Sequence, residues 1–126
     1  MTRRRGNPEA ELQRVVVHTL RLVLPRGAIV HASINEERAG GEQARRRQGI
    51  AVGMGVHPGF SDLLVISAGR VLFLELKSKR GTLSDAQREF RDAVQAQGFG
   101  WALVRSLDDA LAAVAAAGML PRLVRS

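Results

Sequence analysis

The chain has 126 residues, which is enough for one domain with a hydrophobic core of its own. Its apolar content of 45% and charged content of 25% are those of an ordinary globular protein, and no apolar run approaches the roughly 20 residues that a membrane span requires. Cysteine is absent, which excludes disulfide bonds and thiolate metal sites and favours a cytoplasmic protein. The basic N-terminus is followed by an amphipathic segment, so it does not predict a secretory signal.

The charge balance is strongly positive. The formal net charge is +7, the isoelectric point is near 11.5, and every basic residue except Lys77 and Lys79 is an arginine. A GC-rich coding sequence would account for the preference for arginine over lysine, but not for the excess of positive charge. That excess favours a polyanionic partner such as nucleic acid.

The first 56 residues predict a helix, a strand and an insert. Asn7-Pro8-Glu9 is a helix start, with an N-cap, a proline at the first helical position and an acid in the first turn. We expect this helix to continue to about Leu24 and to be followed by a strand over residues 28–34. Residues 36–56 are polar, basic and Gly-rich, too long for a hairpin turn, and contain a short predicted helix around residues 42–49. The apolar residues that recur at helical spacing in the first helix are Leu12, Val15, Val16, Leu20 and Val23.

The remainder predicts two strands, a helix, a strand and a helix. Strands are expected at residues 61–67 and 70–77, with a turn at Ala68-Gly69 between them. Ser84 and Gln87 form a capping-box pair at the start of the next helix. A strand over residues 99–105, with Trp101 in the core, and a last helix to about Ala117 complete the chain. The inner stripe of the helix after Ser84 is predicted to consist of Phe90, Ala93, Val94 and Gln97, and Gly98 ends it.

This order of elements predicts the fold class. It is α-β-insert-β-β-α-β-α, and the final β-α-β unit implies a parallel pair of strands with a right-handed crossover. We therefore expect an α/β protein with a mixed central sheet flanked by helices. The whole chain, 1–126, is expected to be one domain, with loose ends at residues 1–7 and 119–126.

Three charged residues lie in unusual places around the predicted hairpin. Asp62 opens its first strand, and Glu75 and Lys77 stand at the end of its second strand. Side chains alternate between the faces of a strand, so Glu75 and Lys77 share one face. In a hairpin the start of one strand lies beside the end of the other, so we expect Asp62 and Glu75 to converge with Lys77 nearby.

Two converging carboxylates indicate a divalent metal ion. They repel each other unless a cation shares the site, and Mg²⁺ typically takes one or two carboxylates together with water and phosphate oxygens. A neighbouring lysine can position water or offset charge on a phosphate. The alternative is an ordinary ion pair between Glu75 and Lys77 at a solvated strand end, and the spacing alone leaves that alternative open.

Several short motifs in order make the chain resemble the virus-type replication-repair nuclease (VRR-NUC) branch of the PD-(D/E)XK nuclease superfamily, a branch common in phages. They are Gly59-Phe-Ser-Asp62, Glu75-Leu-Lys77, Gly81-Thr-Leu-Ser-Asp-Ala-Gln87, Glu9-Ala-Glu-Leu-Gln13 and Asn35-Glu36. The similarity covers about residues 8–115. The chain departs from the family pattern at Ser61, where the family has proline, and we expect the fold to absorb this change.

The resemblance implies a PD-(D/E)XK core, restriction-endonuclease-like, and a role for each matched residue. Asp62 and Glu75 would bind Mg²⁺ or Mn²⁺ with the backbone carbonyl of Leu76, and Lys77 would be the catalytic lysine. The helix-one acid would be Glu9 by motif spacing and by its inward flank, although Glu9 and Glu11 could both merely complement the helix dipole.

Other residues carry two interpretations each. Gln87 would lie near the active site, although a capping-box glutamine needs no further role. Five arginines are candidate DNA-phosphate contacts, although a charge run is often just a solvated face; they are Arg45, Arg46, Arg47, Arg80 and Arg88.

The function expected from these residues is metal-dependent endonucleolytic cleavage of DNA. Because no base-reading element stands out, structure-selective cleavage of branched DNA such as a four-way (Holliday) junction is favoured over sequence-specific restriction. The stand-alone enzymes of the family are dimeric, so a homodimer is expected too. The competing hypotheses are a nucleic-acid-binding module that has the nuclease fold but does not cut, and an ion-pair cluster in an unrelated basic protein.

Overall fold

The computed structural model describes residues 7–33 and 41–120. Helix α1, Pro8–Val23, begins where the sequence predicted, because the Asn7 side chain accepts hydrogen bonds from the backbone N–H groups of Glu9 and Ala10, each 3.1 Å long. Strand β1, Ile29–Ala32, is shorter than the predicted strand. Helix α2, Gly41–Gly53, lies in the insert and is longer than expected.

A hairpin follows the insert. Strands β2, Leu63–Ser67, and β3, Arg70–Leu76, pair antiparallel with Ser67 opposite Arg70. The two residues between them, Ala68 and Gly69, have positive φ angles of 54° and 72°, as a type I′ hairpin turn requires. Helix α3, Asp85–Ala96, strand β4, Gly100–Val104, and helix α4, Leu107–Ala116, complete the described order, which agrees with the predicted one.

The four strands form one mixed sheet in the order β1-β2-β3-β4. The pairs β1–β2 and β2–β3 are antiparallel, and β3 pairs with β4 in parallel, as the β-α-β unit predicted. The predicted α/β fold class, with a mixed sheet and flanking helices, is therefore confirmed.

The side chains of β3 divide the core between the two faces of the sheet. Leu72, Leu74 and Leu76 pack with α1 and α4 in the larger cluster, which includes Val16 and Val114. On the other face Phe73 packs with residues of α3 in a smaller aromatic cluster, whose ring contacts join Phe60, Phe73 and Phe90; half-buried Trp101 packs against it. The alternation predicted for β3 is confirmed, and it places the odd-numbered residues on the α3 face.

Two predicted helix stripes were partly wrong. In α1, Val15 and Val23 are 47% and 37% exposed, whereas Val16 and Leu20 are fully buried. Each helix presents only one side to the sheet, and Val15 is turned about 100° away from Val16.

The stripe of α3 shows the same error. Its buried residues are Gln87, Phe90 and Val94, spaced by three and four positions, whereas the predicted Ala93 and Gln97 are exposed. In α1 the residues wrongly assigned to the stripe are exposed valines, whereas in α3 they are a small residue, Ala93, and a polar one, Gln97.

The expectation of loose ends was wrong for Met119. Its side chain is fully buried in the cluster on the α1–α4 face. Residues 1–6 and 121–126, and the Asn35-Glu36 motif, lie outside the described residues. No helix in the described parts of the chain is long and apolar enough to cross a membrane.

Candidate active site at the ends of strands β2 and β3

Asp62 and Glu75 lie opposite each other at one end of the hairpin. The register of β2 and β3 pairs Leu63 with Leu74, and continuing it by one pair sets Asp62 against Glu75. Both side chains are 1% exposed. The predicted convergence of the two acids is confirmed, and the solvated ion pair between Glu75 and Lys77 is contradicted because Glu75 is removed from solvent.

Backbone groups fix the carboxylate of Asp62. The Leu76 N–H donates to Asp62 Oδ2 over 2.8 Å, and the Asp62 carbonyl accepts from the Ser33 N–H over 2.8 Å, which ties the start of β2 to the end of β1. The N–H and C=O of one residue project to the same side of a strand. The Leu76 carbonyl therefore projects toward the strand that carries Asp62, as a third metal ligand would have to.

The side chain of Gln87 joins the start of α3 to Glu75. Its Oε1 accepts from the Ser84 N–H over 2.9 Å and its backbone N–H donates to Ser84 Oγ over 3.1 Å, which is the predicted capping box. Its Nε2 donates to Glu75 Oε2 over 3.1 Å. The sequence left open whether Gln87 is a cap or a site residue, and the structure gives it both contacts.

Gly59 brings the turn before Asp62 against the first turn of α3. It has a φ of +74°, and a Cβ atom at this position would lie 2.2 Å from the Ala86 carbonyl oxygen and 2.7 Å from the Gln87 nitrogen. No side chain fits there. The close approach explains the first glycine of the Gly-Phe-Ser-Asp motif, because it lets Asp62 and Gln87 reach the same end of the sheet.

Lys77 and Glu9 lie at the edge of this pair of acids. Lys77 is half-buried directly after β3, and its backbone N–H continues the pairing with β4 by donating to the Val104 carbonyl over 3.0 Å. Glu9 is half-buried, and its Oε2 accepts from the Ser78 N–H at 3.4 Å, whereas Glu11 is exposed. The geometry therefore favours Glu9 over Glu11 as the acid of α1 that reaches the site.

Ser61 lies inside the protein. It is fully buried, and within the described part of the chain its hydroxyl has no hydrogen-bond partner. The turn therefore makes no use of the hydroxyl of Ser61 as a hydrogen-bonding group. The turn thus accommodates serine, as expected.

Comparison with known proteins bears on the fold. No protein-family model and no curated protein matches the sequence. A solved structure described as a "VRR_NUC domain protein" superposes on 93% of this chain and 93% of its own, with a TM-score of 0.67 and 21% sequence identity. The chain has the VRR-NUC fold. The sequence motifs that resemble the family are thus carried by a backbone of the same architecture.

The two acids and the lysine occupy one end of the sheet in this VRR-NUC fold. Among the described residues there is no cluster of three His, Cys, Asp or Glu side chains that could hold a metal ion. The protein oxygens that could hold an ion at this end of the sheet are the carboxylates of Asp62 and Glu75 together with the Leu76 carbonyl. Such a set suits Mg²⁺, which keeps several waters and takes phosphate oxygens from its substrate.

The candidate DNA-binding arginines of this VRR-NUC fold are dispersed. Arg45, Arg46 and Arg47 are exposed on α2, and Arg80 is exposed four residues before the N-cap of α3. Arg88 is exposed too, but its guanidinium donates to the Leu83 carbonyl over 2.8 Å and contacts Asp85. Arg88 thus stabilises the first turn of α3 in addition to any role in binding.

One residue of the site region was missed by the sequence reasoning. The guanidinium of Arg105 reaches across from the end of β4 to the carbonyl oxygens that follow Lys77. No local pattern could have identified it, because the contact joins residues 27 positions apart through backbone atoms.

Proposed function

We propose that this protein is an endonuclease that uses Mg²⁺ or Mn²⁺ to hydrolyse DNA phosphodiesters, and that the chain acts as one nuclease domain. The observation that carries the proposal is the pair of buried carboxylates, Asp62 and Glu75, opposite each other beside Lys77. Burying two like charges next to each other destabilises the folded protein, and a protein that only binds DNA would gain nothing from that cost. The burial of the pair is explained if the two carboxylates normally bind a metal cation between them.

Asp62, Glu75 and the Leu76 carbonyl would hold the ion. Bound there, it would act as a Lewis acid on the scissile phosphate and lower the pKa of a bound water. The chain prepares these ligands in advance. The Leu76 N–H orients one carboxylate and the Gln87 amide orients the other, so little side-chain freedom is lost on binding.

The remaining residues would act on water and phosphate. Lys77 would position the attacking water and offset the negative charge that develops on the phosphate. Glu9 would support the same edge through the Ser78 N–H. Gln87 would touch the metal-binding acid rather than the substrate, and Arg45, Arg46, Arg47, Arg80 and Arg88 would supply phosphate contacts.

The proposed substrate is branched DNA, for example a four-way junction, cut by a homodimer in the cytoplasm. Within the described residues the basic side chains are spread over α1, α2, α3, β3 and the loops and are not gathered on one base-reading element, which supports recognition of DNA shape. A junction is resolved by two matched cuts, and one copy of this chain offers one site. A two-fold dimer would present two sites in symmetric positions.

The test combines metal binding with cleavage. The wild-type protein is incubated with linear, flap and four-way DNA, with Mg²⁺, with Mn²⁺ and with EDTA. Its unfolding is followed in parallel with and without Mn²⁺. We expect metal-dependent cuts, preferentially in branched DNA, and a rise of about 2.7 kcal/mol in the free energy of unfolding at a metal concentration 100 times the Kd.

Matched variants then assign the site. Asp62→Asn and Glu75→Gln should abolish both the cuts and the Mn²⁺ stabilisation, while DNA binding in EDTA stays within a few-fold of wild type. The controls Asp108→Asn and Glu89→Gln change exposed acids and should cut normally. Normal cutting by either site variant would refute the assignment. Binding of branched DNA with no cut under any metal would instead favour the non-cutting module.

A further inference from the structure

The chain that leaves β3 forms a tight turn directly after Lys77. The Gly81 N–H donates to the Ser78 carbonyl over 3.1 Å, which closes the turn over residues 78–81. Lys79 and Arg80 in this turn are exposed. The conformation of this turn therefore determines the direction of the backbone immediately after Lys77.

Arg105 holds this turn from the β4 side. Its Nη1 donates to the Ser78 carbonyl over 2.6 Å and to the Lys79 carbonyl over 3.2 Å. Among the described residues no carboxylate forms an ion pair with this guanidinium. Two backbone carbonyls are therefore what orients a half-buried charged group that could otherwise extend into solvent.

The start of α4 anchors Arg105 itself. The backbone N–H of Arg105 donates to Asp109 Oδ2 over 2.9 Å, and the Asp109 N–H donates to the N-cap hydroxyl of Ser106 over 3.1 Å. The base of the arginine side chain is thus fixed by the cap of a helix that packs in the larger core cluster.

Glu9 holds the same turn from the opposite side. The Ser78 N–H donates to Glu9 Oε2 at 3.4 Å, while the Ser78 carbonyl accepts from Arg105. Both peptide groups of Ser78 are therefore engaged by charged side chains, one from α1 and one from the end of β4. Lys77 is the residue immediately before this pair of contacts.

We infer that Arg105 is a positioning residue of the candidate active site: by binding the Ser78 and Lys79 carbonyls it fixes the turn after β3 and thereby the position of Lys77. The inference rests on the proposed nuclease function for its effect on rate, but not for its effect on the turn. A shift of about 1 Å in a reacting group reduces a rate by about 100-fold, so small movements of the turn matter.

The test compares Arg105→Met, which keeps length but removes the donors, with Arg105→Lys, which keeps charge and N–H groups. Arg26→Met, at an exposed arginine, is the control. Single-turnover cleavage by Arg105→Met should fall about 10- to 100-fold, with Arg105→Lys recovering much of the loss and Arg26→Met unchanged. Mn²⁺ affinity should stay within about threefold in all three, since Arg105 contacts neither acid.

A double-mutant cycle separates positioning of Lys77 from a general loss of stability. In a Lys77→Ala background, Arg105→Met should have little further effect on the rate, because the residue it positions is already gone. An equal fold-loss in both backgrounds, or wild-type cleavage by Arg105→Met, would overturn the inference.

Hydrogen exchange tests the turn without any cleavage. The peptide covering residues 77–83 should exchange faster in Arg105→Met than in wild type, with peptides of α1 and β2 unchanged. Unchanged exchange in the 77–83 peptide would overturn the inference even if the protein cuts DNA. A wild-type protein that cuts no DNA would refute the proposed function, and the exchange result would still decide the role of Arg105 in the turn.

Discussion

Asp62 and Glu75 are oriented by the same kind of hydrogen bond. In each, one carboxylate oxygen accepts a hydrogen bond from a donor that the fold has already fixed. For Asp62 the donor is the N–H of Leu76 in the sheet, and for Glu75 it is the amide of Gln87, whose other end caps α3. These bonds orient both acids before any ligand arrives, which reduces the entropy lost on metal binding.

Glu9 and Glu11 offer a matched comparison within one helix turn. Both complement the dipole of α1, so Glu9→Gln and Glu11→Gln should change the free energy of unfolding by similar amounts, each within about 1 kcal/mol. Only Glu9 contacts the turn that follows Lys77. We therefore expect Glu9→Gln to slow cleavage about tenfold or more, and Glu11→Gln to leave it unchanged, in single-turnover assays on both proteins.

Equal cleavage rates for the two variants would show that Glu9 only interacts with the dipole of α1 and has no role in the site. A larger loss in Glu11→Gln would reverse the assignment that motif spacing and geometry both favour.

The positions of some site residues could be predicted from the sequence and others could not. The convergence of Asp62 and Glu75 followed from the period of two along a strand and from the short turn between two apolar runs, both of which are local patterns. The contact between Gln87 and Glu75 needs the packing angle of α3, which no local pattern contains. Arg105 binds backbone carbonyls, and a carbonyl carries no signature in the sequence.

At the scale of elements, the hairpin and α3 are joined at Gly59. Its backbone lies against the peptide between Ala86 and Gln87, so the turn that precedes Asp62 packs directly on the helix that carries Gln87. The geometry of the site therefore depends on the packing of α3 against the sheet as well as on the hairpin that carries the acids.

Gly59→Ala and Gly69→Ala separate crowding from backbone strain. Both glycines have φ angles near +70°, so each alanine costs about 1–2 kcal/mol from conformation alone. Only at Gly59 would the new Cβ overlap backbone, at 2.2 Å, whereas nothing lies within 4 Å at Gly69. Chemical denaturation should show a clearly larger loss for Gly59→Ala, and its folded fraction should cleave DNA more slowly because Gln87 is displaced.

If both variants lose the same free energy of unfolding and cleave DNA at the same rate, the close approach at Gly59 affects neither stability nor the site. Wild-type cleavage by folded Gly59→Ala would specifically show that Gln87 does not depend on this contact.

The elements were predicted in type and order, and the errors lie at faces and ends. The capping residues Asn7 and Ser84 were predicted correctly because a cap is a contact within one helix turn. The buried face of α1 was drawn too wide, because Val15 is apolar but points away from the sheet. The tertiary fold decides which face of a helix packs against the sheet. The hydrophobic pattern of the helix alone therefore predicts the buried stripe only approximately.

At the scale of the whole molecule, α2 exposes both charged and apolar side chains. This helix carries Arg45, Arg46 and Arg47 on its exposed surface, and Ile50 and Val52 are exposed further along it. The total charge of +7 makes approach to DNA favourable from most directions. The arginines of α2 can therefore be tested against an equal number of arginines elsewhere.

The salt dependence of DNA binding distinguishes contacts from general attraction. Arg45→Gln/Arg46→Gln and the control Arg14→Gln/Arg26→Gln remove the same charge from exposed positions. If α2 contacts phosphates, the slope of log K against log salt should fall by up to about 0.9 per lost contact in the first variant. The control should weaken binding less and keep the slope. Identical slopes in both would assign the run on α2 to solvent.

Assembly can be measured directly. A chain of this length has a radius of gyration of only about 14 Å, so one copy would not reach two strands of a junction at once. We expect light scattering at micromolar concentration to give twice the monomer mass of 13.7 kDa, and cuts in a four-way junction to occur in symmetric pairs. A monomer mass both with and without junction DNA would exclude the dimer.

The tip of the β2–β3 hairpin is a natural attachment point for a reporter group. Its first residue, Ala68, lies six positions from Asp62 along β2, or about 20 Å at the usual rise per residue, at the end of the sheet away from the acids. Ala68 at the tip is exposed and already adopts a positive φ with a side chain present. Because the chain contains no cysteine, Ala68→Cys would introduce a single thiol, and a fluorophore coupled there would report DNA approaching the site without occupying it.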